Sequence, residues 1–445
     1  MYKGSEEIRG MASSGQDKTT ADSTSGNDEQ KKSSNIPDKV VQELNETYEK
    51  HGKPGIIESV KEKLNEWKKV PLNIAITGSS GVGKSSYINA LRGMTADDDG
   101  AAPVGVVETT ASRTPYTHPE NECFVLWDLP GVGSPNFPRE SYLEKIQFRR
   151  YDFFLVLSAS RFTMNDKWLA QQIRQAGKHF YFIRTKIDLD ISDNKKSHPR
   201  THFKDRVLQT VRSDCITHLQ NEGFTNPEVF IISNYHINEF DFGQLSERLI
   251  KDAPDIKREA LTLSLTNLTE RIIRTKEKYL KKRIYIVSIA SAAAAAVPIP
   301  GVGYSVDAAI LLGEAVFYRQ QLQLDEKSFQ ENAAALNISV NELQRKLNLQ
   351  SQIISFTSAG LLAFFASLGI SNLSENIFKI SLPVVGIVIA AGMSYGVQVY
   401  CLNKLLDVMV NDALRIHGEM TKISAKNAVD DIQTTQTEVK KVESE

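Results

Sequence analysis

A glycine-rich segment, GSSGVGKS, has the residue types and spacing of a phosphate-binding loop. Gly78, Gly81 and Gly83 allow a tight turn whose backbone N–H groups point at an anion. Lys84 can then reach the outer phosphates, and the Ser85 hydroxyl can coordinate Mg²⁺. A short apolar run, LNIAIT, precedes the loop and a helical pattern, SSYINALRG, follows it, which is the context that this loop requires. The segment therefore predicts a site for a nucleoside triphosphate.

Two further motifs each follow a predicted strand. CFVLWDLPG carries Asp128 and Gly131, at the spacing by which an aspartate holds Mg²⁺ through water and a glycine N–H meets the γ-phosphate. FIRTKID ends in Thr185, Lys186 and Asp188. In GTP-binding proteins the aspartate of such a T-K-x-D accepts hydrogen bonds from guanine N1 and the exocyclic amine, which adenine cannot supply, while the lysine stem packs along the ring. These motifs favour guanine.

A last motif, IISN, places Ser233 and Asn234 where a backbone N–H can meet the guanine O6. Because the motifs occur in this order, we predict GTP and GDP as ligands; an ATPase or kinase with a similar loop is the alternative. The predicted nucleotide-binding residues are Gly78, Ser79, Ser80, Gly81, Val82, Gly83, Lys84, Ser85, Ser86, Thr109, Thr110, Asp128, Gly131, Thr185, Lys186, Asp188, Ser233 and Asn234.

The segment PVGVVETTASRTPYTHPE, between the loop and DLPG, is a candidate switch. Such a switch offers a hydroxyl to Mg²⁺ and senses the γ-phosphate. Thr110, or its neighbour Thr109, fits that role, so the predicted Mg²⁺ ligands are Ser85, Thr110 and Asp128. Glu108 can orient a water molecule or can simply be solvated, and the whole segment can instead be an ordinary surface loop.

Val132 follows DLPG, where Ras-like enzymes carry a water-positioning glutamine. The chain therefore either hydrolyses GTP slowly or obtains a catalytic group from elsewhere, for example from a second molecule. Two classes of function fit this pattern: a GTP-hydrolysing enzyme, and a non-hydrolysing GTP-dependent switch that a partner reads.

The elements that position these motifs alternate between strand and helix. From about Pro71 the short apolar segments LNIAIT, CFVLWD, DFFLVLS, HFYFIRT and VFIIS are separated by helical stretches, up to about Ile250. This alternation predicts an α/β fold, a Ras-like P-loop GTPase domain with a mostly parallel sheet. Each polar motif follows a strand, so the motifs meet at the carboxyl edge of the sheet.

Helical patterns flank this domain on both sides. Two amphipathic helices joined at HGKPG precede it, and LTLSLTNLTERIIRTKEKYLKKR and SVNELQRKL follow it, the latter with a capping box of Ser339 and Glu342. Both flanks are expected to form one all-helical domain. The expected divisions are a disordered extension at 1–35, a helical segment at 36–68, the G domain at 69–250, a helical domain at 251–425 and a flexible tail at 426–445.

Composition excludes several classes of function. The formal net charge of −1 gives no strong attraction to nucleic acid. The three cysteines, Cys123, Cys215 and Cys401, lie far apart, which fits a reducing compartment and excludes a zinc site of the usual spacing. The N-terminus lacks the apolar core of a signal peptide, and Tyr2 stands where myristoylation needs glycine.

Stretches without charged residues run over 284–306, 347–374 and 380–403, each long enough to cross the hydrocarbon core of a bilayer. The basic segment KEKYLKKR precedes the first stretch and can meet anionic headgroups. Against membrane insertion, the first stretch is mostly alanine and contains Pro298 and Pro300, which would break a spanning helix. Buried core helices are the alternative, and both interpretations are kept.

Several longer segments resemble one family, the interferon-inducible, immunity-related GTPases. They are VGVVETT, WDLPGVGSPNFPRESYLEKIQFRRYDFFLVLSASRF, FYFIRTKID, VFIISN with FDFGQL, and FYRQQLQLDEKSFQ. The similarity runs from roughly Val40 to Leu349. The loop GVGKS resembles that of the effector branch of the family, because the regulatory branch carries methionine at the position of Lys84.

The resemblance implies a dynamin-like GTPase that binds GTP and GDP weakly and assembles when GTP is bound. Hydrolysis would occur across a head-to-head dimer of G domains, with Glu108 as a catalytic switch residue beside Lys84 and Arg161 as a dimer contact. The implied partners are further copies of the chain, other GTPases of the family and intracellular membranes, but not nucleic acid. The implied location is the cytoplasm, in association with endoplasmic reticulum, Golgi or pathogen-containing vacuoles.

Overall fold

The computed structural model describes residues 38–105, 112–133, 136–295, 302–351, 354, 356–357, 360–361, 363–364, 395–396 and 398–422. Within these ranges the chain forms one six-stranded sheet. Its strands are β1 (Leu72–Thr77), β2 (Thr114–His118), β3 (Asn121–Asp128), β4 (Phe153–Ser158), β5 (His179–Arg184) and β6 (Val229–Ile231).

The strand order is β2-β3-β1-β4-β5-β6. All neighbouring strands run parallel except β2, which is antiparallel to β3. The predicted α/β class with a mostly parallel sheet is therefore confirmed. Strand β2 was not predicted: the sequence interpretation treated this part of the chain as switch or loop. It lies at the edge of the sheet, where Pro115 is tolerated because only one side of the strand is paired.

Helices precede, follow and separate the strands. They are α1 (Asp38–Leu64), α2 (Lys84–Leu91), α3 (Arg139–Lys145), α4 (Met164–Gln175), α5 (Ile187–Ser197), α6 (Lys204–Asn221), α7 (Phe242–Asp252), α8 (Asp255–Ser264), α9 (Glu270–Ala295), α10 (Val302–Gln321), α11 (Glu326–Ala335), α12 (Val340–Leu347) and α13 (398–422). Helix α1 is kinked at Gly52, whose φ is 62°, next to Pro54. The predicted joint at HGKPG is thus confirmed.

Both faces of the sheet are covered by apolar clusters. Ile74 and Ile76 of β1 pack on one face with Tyr87 of α2, whereas Ala75 between them packs on the other face with Phe154 of β4. This alternation follows from the strand geometry, in which successive side chains point to opposite faces. Because both faces of these strands are buried, their sequences are continuously apolar, which made them recognisable.

A third apolar cluster joins helices from the two ends of the chain. Leu44 of α1, Ile284 of α9, Tyr318 of α10 and Leu405 of α13 are all fully buried in it. The Arg283 guanidinium connects three of these helices. Residues from both flanks therefore share one core.

Arg283 of α9 donates to both carboxylate oxygens of Glu314 in α10, at 2.8 and 2.7 Å, and to the carbonyl oxygen of Leu64 at the end of α1, at 2.7 Å. A bidentate pair of this kind compensates the cost of burying both charges. Helix α8 packs on two clusters, with Leu261 against the sheet and Leu263 in the helical core. The domain limits proposed from the sequence stay predictions.

The segment LTLSLTNLTERIIRTKEKYLKKR, which the sequence predicted to be helical, forms parts of two helices with a break between α8 and α9. At the break, Asn267 donates from its backbone N–H to the Gln323 side chain at 2.8 Å and from its amide to the Gln321 carbonyl at 3.1 Å. These bonds to the end of α10 replace intrahelical ones. In contrast, α12 begins at the predicted cap, with the Glu342 N–H donating to Ser339 at 3.2 Å.

The described part of the first charge-free stretch belongs to the helical core, where Ile284, Val287 and Ile289 are buried. Over the ranges that the structure describes, no helix is both long and apolar enough to cross a bilayer. Residues 296–301 and 365–394, which include parts of all three stretches, lie outside the described residues, as do the predicted disordered extension at 1–35 and the tail at 426–445.

Lys276 of α9 is buried between the helical core and the end of α10, where its Nζ donates to the Gln321 carbonyl oxygen at 3.0 Å. Burial lowers the pKa of Lys276 to about 7. The unfolded chain keeps this proton to about pH 10. Between these values the unfolded state binds more protons, so the stability of the wild-type protein rises with pH.

We therefore expect Lys276→Met to raise the free energy of unfolding by roughly 3 kcal/mol at pH 6, since a charged amine no longer has to be buried. The gain should shrink as pH rises through 7 towards 10. Urea unfolding across this range measures it, with Lys278→Met, an exposed lysine on the same helix, as the control. A gain that does not change with pH would contradict the assigned cause.

Candidate functional site

The glycine-rich loop joins β1 to α2 and passes close to neighbouring backbone. A Cβ atom on Gly78, whose φ is 142°, would lie 2.2 Å from the carbonyl oxygen of Leu157 in β4. Gly83 has a φ of 92°, and a Cβ there would lie 3.0 Å from the Asn234 amide nitrogen. Both positions therefore need glycine, because a side chain would push the loop away from the sheet edge.

Lys84 is the first residue of α2, and its side chain is buried beneath the loop. Its Nζ donates to the carbonyl oxygens of Gly78 and Ser79, at 3.1 and 3.2 Å. The ammonium group is thus held within the concave turn where an anion would sit, beside the positive end of the helix dipole.

The neighbouring Ser85 hydroxyl donates to a carboxylate oxygen of Asp128 at 3.2 Å. Asp128 ends β3 and is buried. A hydroxyl and a carboxylate side by side are the hard oxygen ligands that Mg²⁺ prefers, with water and phosphate oxygens completing the octahedron. These two residues fit the predicted ion, and Thr110, the third predicted ligand, lies outside the described residues.

The DLPG segment packs directly on the glycine-rich loop, since a Cβ on Gly131 would lie 3.3 Å from the Gly78 carbonyl oxygen. Tyr142 of α3, whose side chain is fully buried, donates to the Pro130 carbonyl at 2.8 Å and lies 3.2 Å from the Thr77 hydroxyl. Tyr142 therefore links the DLPG segment to Thr77 at the end of β1. The sequence interpretation did not identify it.

The residues after DLPG are held by a side chain from α4. The Asn165 amide donates to the Val132 carbonyl at 2.7 Å, and the Arg139 Nε donates to Asn165 Oδ1 at 2.7 Å. Val132 itself is buried, and its side chain has no hydrogen-bonding group that could orient a water molecule. Asn165 was also missed, because nothing in MNDK separates a loop-bracing asparagine from an ordinary helix residue.

The predicted base-recognition loops are both hydrogen-bonded to the glycine-rich loop. The Thr185 hydroxyl donates to the Val82 carbonyl at 2.7 Å, and the Asn234 amide donates to the Gly83 carbonyl at 3.0 Å. Lys186 follows in the left-handed region, with φ of 59°, and starts α5. The loops after β5 and β6 therefore have a fixed position relative to the phosphate end of the site.

These loops enclose a cleft of about 290 Å³. It brings together Lys84 and Ser85 of α2 with Lys186 and Asp188, which follow β5. The lining residues are Ser80, Gly81, Gly83, Lys84, Ser85, Ser86, Pro103, Val104, Gly105, Lys186, Asp188, Leu189, Asn234 and Tyr235. The size suits a nucleotide, as does a lining that combines polar and charged groups with apolar side chains such as Val104 and Leu189.

Other predicted residues lie behind the wall of the cleft. Thr185 and Ser233 are fully buried, and Val82 and Asp128 are nearly so. Their side chains support the loops: the Ser233 hydroxyl accepts from the Tyr235 N–H at 3.3 Å. The cleft also includes Pro103, Val104, Gly105, Leu189 and Tyr235, which the sequence interpretation did not select.

The predicted catalytic residues are placed less completely. Glu108 and Thr109 lie outside the described residues. Arg161 follows β4; its side chain is 75% exposed, and its Nε lies 4.0 Å from a carboxylate oxygen of Asp214. Arg161 does not line the cleft. An exposed ion pair of this kind is weak and leaves the guanidinium free to exchange partners.

A glycine-rich loop between the first strand and its helix, with polar loops after β3, β5 and β6 at the same sheet edge, defines a P-loop nucleotide-binding protein of the GTPase class. The chain belongs to the interferon-inducible GTPase (IIGP) family, whose model matches residues 38–419. The resemblance that the sequence motifs indicated is confirmed.

Several mammalian relatives are similar over most of the chain. T-cell-specific guanine nucleotide triphosphate-binding protein 2 of Mus musculus is 38% identical over 376 residues, which cover 83% of this chain and 87% of that protein. Interferon-inducible GTPase 1 of Mus musculus is 40% identical over 286 residues, covering 64% of this chain and 69% of that protein. Interferon-inducible GTPase 5 of Rattus norvegicus is 33% identical over 378 residues, covering 84% and 81%.

Proposed function

We propose that this GTPase binds GTP and GDP in the cleft, hydrolyses GTP with the help of a second copy, and acts on intracellular membranes in cell-autonomous defence, including vacuoles that enclose pathogens. The observation that carries the proposal is the cleft itself. It joins Lys84 and Ser85, which suit phosphate and Mg²⁺, to Lys186 and Asp188, which suit guanine. The family membership supports the same activity.

The phosphates would lie on the glycine-rich loop, with Lys84 exchanging its two loop carbonyls for phosphate oxygens. Ser85, Asp128 and Thr110 would hold Mg²⁺, whose charge offsets the negative charge on the β- and γ-phosphate oxygens. The Gly131 N–H would donate to the γ-phosphate, so the position of the segment after Gly131 would depend on whether that phosphate is present. Tyr142 and Asn165 would keep that segment at a constant distance from the loop.

Hydrolysis needs a group that positions water, and Val132 is buried with its carbonyl already bonded to Asn165. Glu108 is our candidate for that role. Arg161, exposed beyond the end of β4, is our candidate for the contact that a second G domain makes. Assembly would then be a condition of fast turnover, because Arg161 does not line the cleft of its own chain.

GTP turnover per molecule over a wide range of protein concentration tests this mechanism. We expect the wild-type rate to climb with concentration, and Glu108→Ala to lower the rate at high concentration about 100-fold, as the loss of a water-positioning group does. Arg161→Ala should remove the concentration dependence. Arg271→Ala is the matched control, because Arg271 is 71% exposed and also has one surface ion pair, at 3.7 Å.

A flat, near-zero rate with intact nucleotide binding would contradict hydrolysis and favour the second candidate, a non-hydrolysing switch whose bound nucleotide is read by a partner. The valine at the glutamine position favours this alternative. For either activity, we propose three kinds of partner: further copies of the chain, other GTPases of the family, and the membranes of endoplasmic reticulum, Golgi or vacuoles. The proposed location is the cytoplasm.

A further inference from the structure

Tyr235, next to Asn234, lies at the rim of the cleft with 76% of its surface exposed. Large aromatic side chains are seldom left so open, because burying the ring is favourable. Tyr235 lines the same cleft as Lys186 and Asp188. An exposed aromatic beside residues that suit a purine is a surface on which a flat base can stack.

The main chain around Tyr235 is held firmly. Its N–H donates to the Ser233 hydroxyl at 3.3 Å, and the preceding Asn234 is bonded to the glycine-rich loop. Beyond it, the Glu239 N–H donates to the His236 carbonyl at 3.0 Å. The ring therefore projects from a loop whose position relative to the phosphate end does not depend on the ring itself.

We propose that the Tyr235 ring stacks on one face of the guanine base, while the stem of Lys186 packs along the other face. This inference rests on the proposed binding of guanine nucleotides. The two residues then contribute differently to binding. Asp188 bonds the edge of the base and determines selectivity, whereas Tyr235 contacts only the face of the base and increases affinity. The hydroxyl of Tyr235 has no part in this role.

Stacking of this kind makes a definite prediction for binding, measured by calorimetry with GDP and with inosine diphosphate, which lacks the exocyclic amine. Tyr235→Ala should weaken both ligands by the same factor, about tenfold, because each base presents a similar face. Tyr235→Phe should bind like the wild type. Ile256→Ala, at a hydrophobic residue of 74% exposure on α8, controls for the loss of an exposed apolar side chain.

A spectroscopic readout separates stacking from an indirect effect on the loop. The H8 proton of bound GDP should show an upfield ring-current shift with wild type and Tyr235→Phe, and lose it with Tyr235→Ala. Unchanged affinity in Tyr235→Ala, an equal loss in Tyr235→Phe, or a loss confined to GDP would each overturn the proposal. Asp188→Asn tests guanine binding separately, so a failure of stacking and a failure of the proposed function are distinguishable.

Discussion

Asp188→Asn is expected to weaken the binding of GTP and GDP about 100-fold and to create affinity for xanthosine diphosphate. The carboxylate of Asp188 would accept two hydrogen bonds from the guanine edge, each worth roughly 1.5–3 kcal/mol when the acceptor is charged. An asparagine keeps one acceptor but faces the guanine amine with its own NH₂ group. Xanthine carries a carbonyl oxygen at that position, which the new NH₂ group can donate to.

Calorimetric titration of the wild type and the variant with guanosine, xanthosine and adenosine diphosphates measures this change. Asp193→Asn is the matched control, because Asp193 lies further along the same helix, α5, with a largely exposed side chain. Equal guanine affinity in both variants would show that the base is bound elsewhere. Retained binding with a preference for adenine would support the alternative of an ATPase.

Lys84→Ala is expected to reduce GTP hydrolysis about 1,000-fold, and to weaken GTP more than GDP. The reason is the position of the ammonium group, which is bonded to the Gly78 and Ser79 carbonyls inside the turn and can move only a short way to reach the outer phosphates. An ammonium group that is already positioned near the transferred phosphoryl group stabilises the charge of the transition state, and the site does not have to reorganise during the reaction.

Single-turnover hydrolysis at saturating GTP measures the chemical step, and the melting temperature without nucleotide checks that the variant folds. Lys68→Ala, at an exposed lysine before β1, is the control for charge. Ser85→Ala provides a second test of the same loop, since it removes a predicted Mg²⁺ ligand and leaves Lys84 in place. Turnover that survives both substitutions would place the reaction outside this cleft.

Local sequence was sufficient for the features that depend on neighbouring residues. The glycine-rich loop is one, because the lysine and serine of the motif occupy the first turn of the helix that the pattern predicted. The buried strands are another, since a parallel strand covered on both faces is continuously apolar. Motifs that follow such strands meet at one edge, so the juxtaposition of the phosphate loop with Asp128 and Asp188 could be anticipated.

Features that depend on contacts between distant residues were not predictable in this way. Strand β2 carries a proline and is tolerated only because it lies at the sheet edge. Tyr142 and Asn165 have ordinary helical surroundings in the sequence, and their hydrogen bonds to Pro130 and Val132 exist only in the folded chain. The break before α9 is likewise set by bonds from Asn267 to the end of another helix.

The sequence by itself determined the class of fold, the order of the motifs and the chemistry expected of each, since backbone spacing and side-chain type are local properties. Only the tertiary structure decided which predicted residues line the cleft and which support it from behind, and that Tyr235 stands open at its rim. The physical reason is that exposure and hydrogen-bond partners belong to the packed arrangement. The side chain of buried Lys276 is chemically identical to that of a solvated lysine, and only its surroundings lower its pKa.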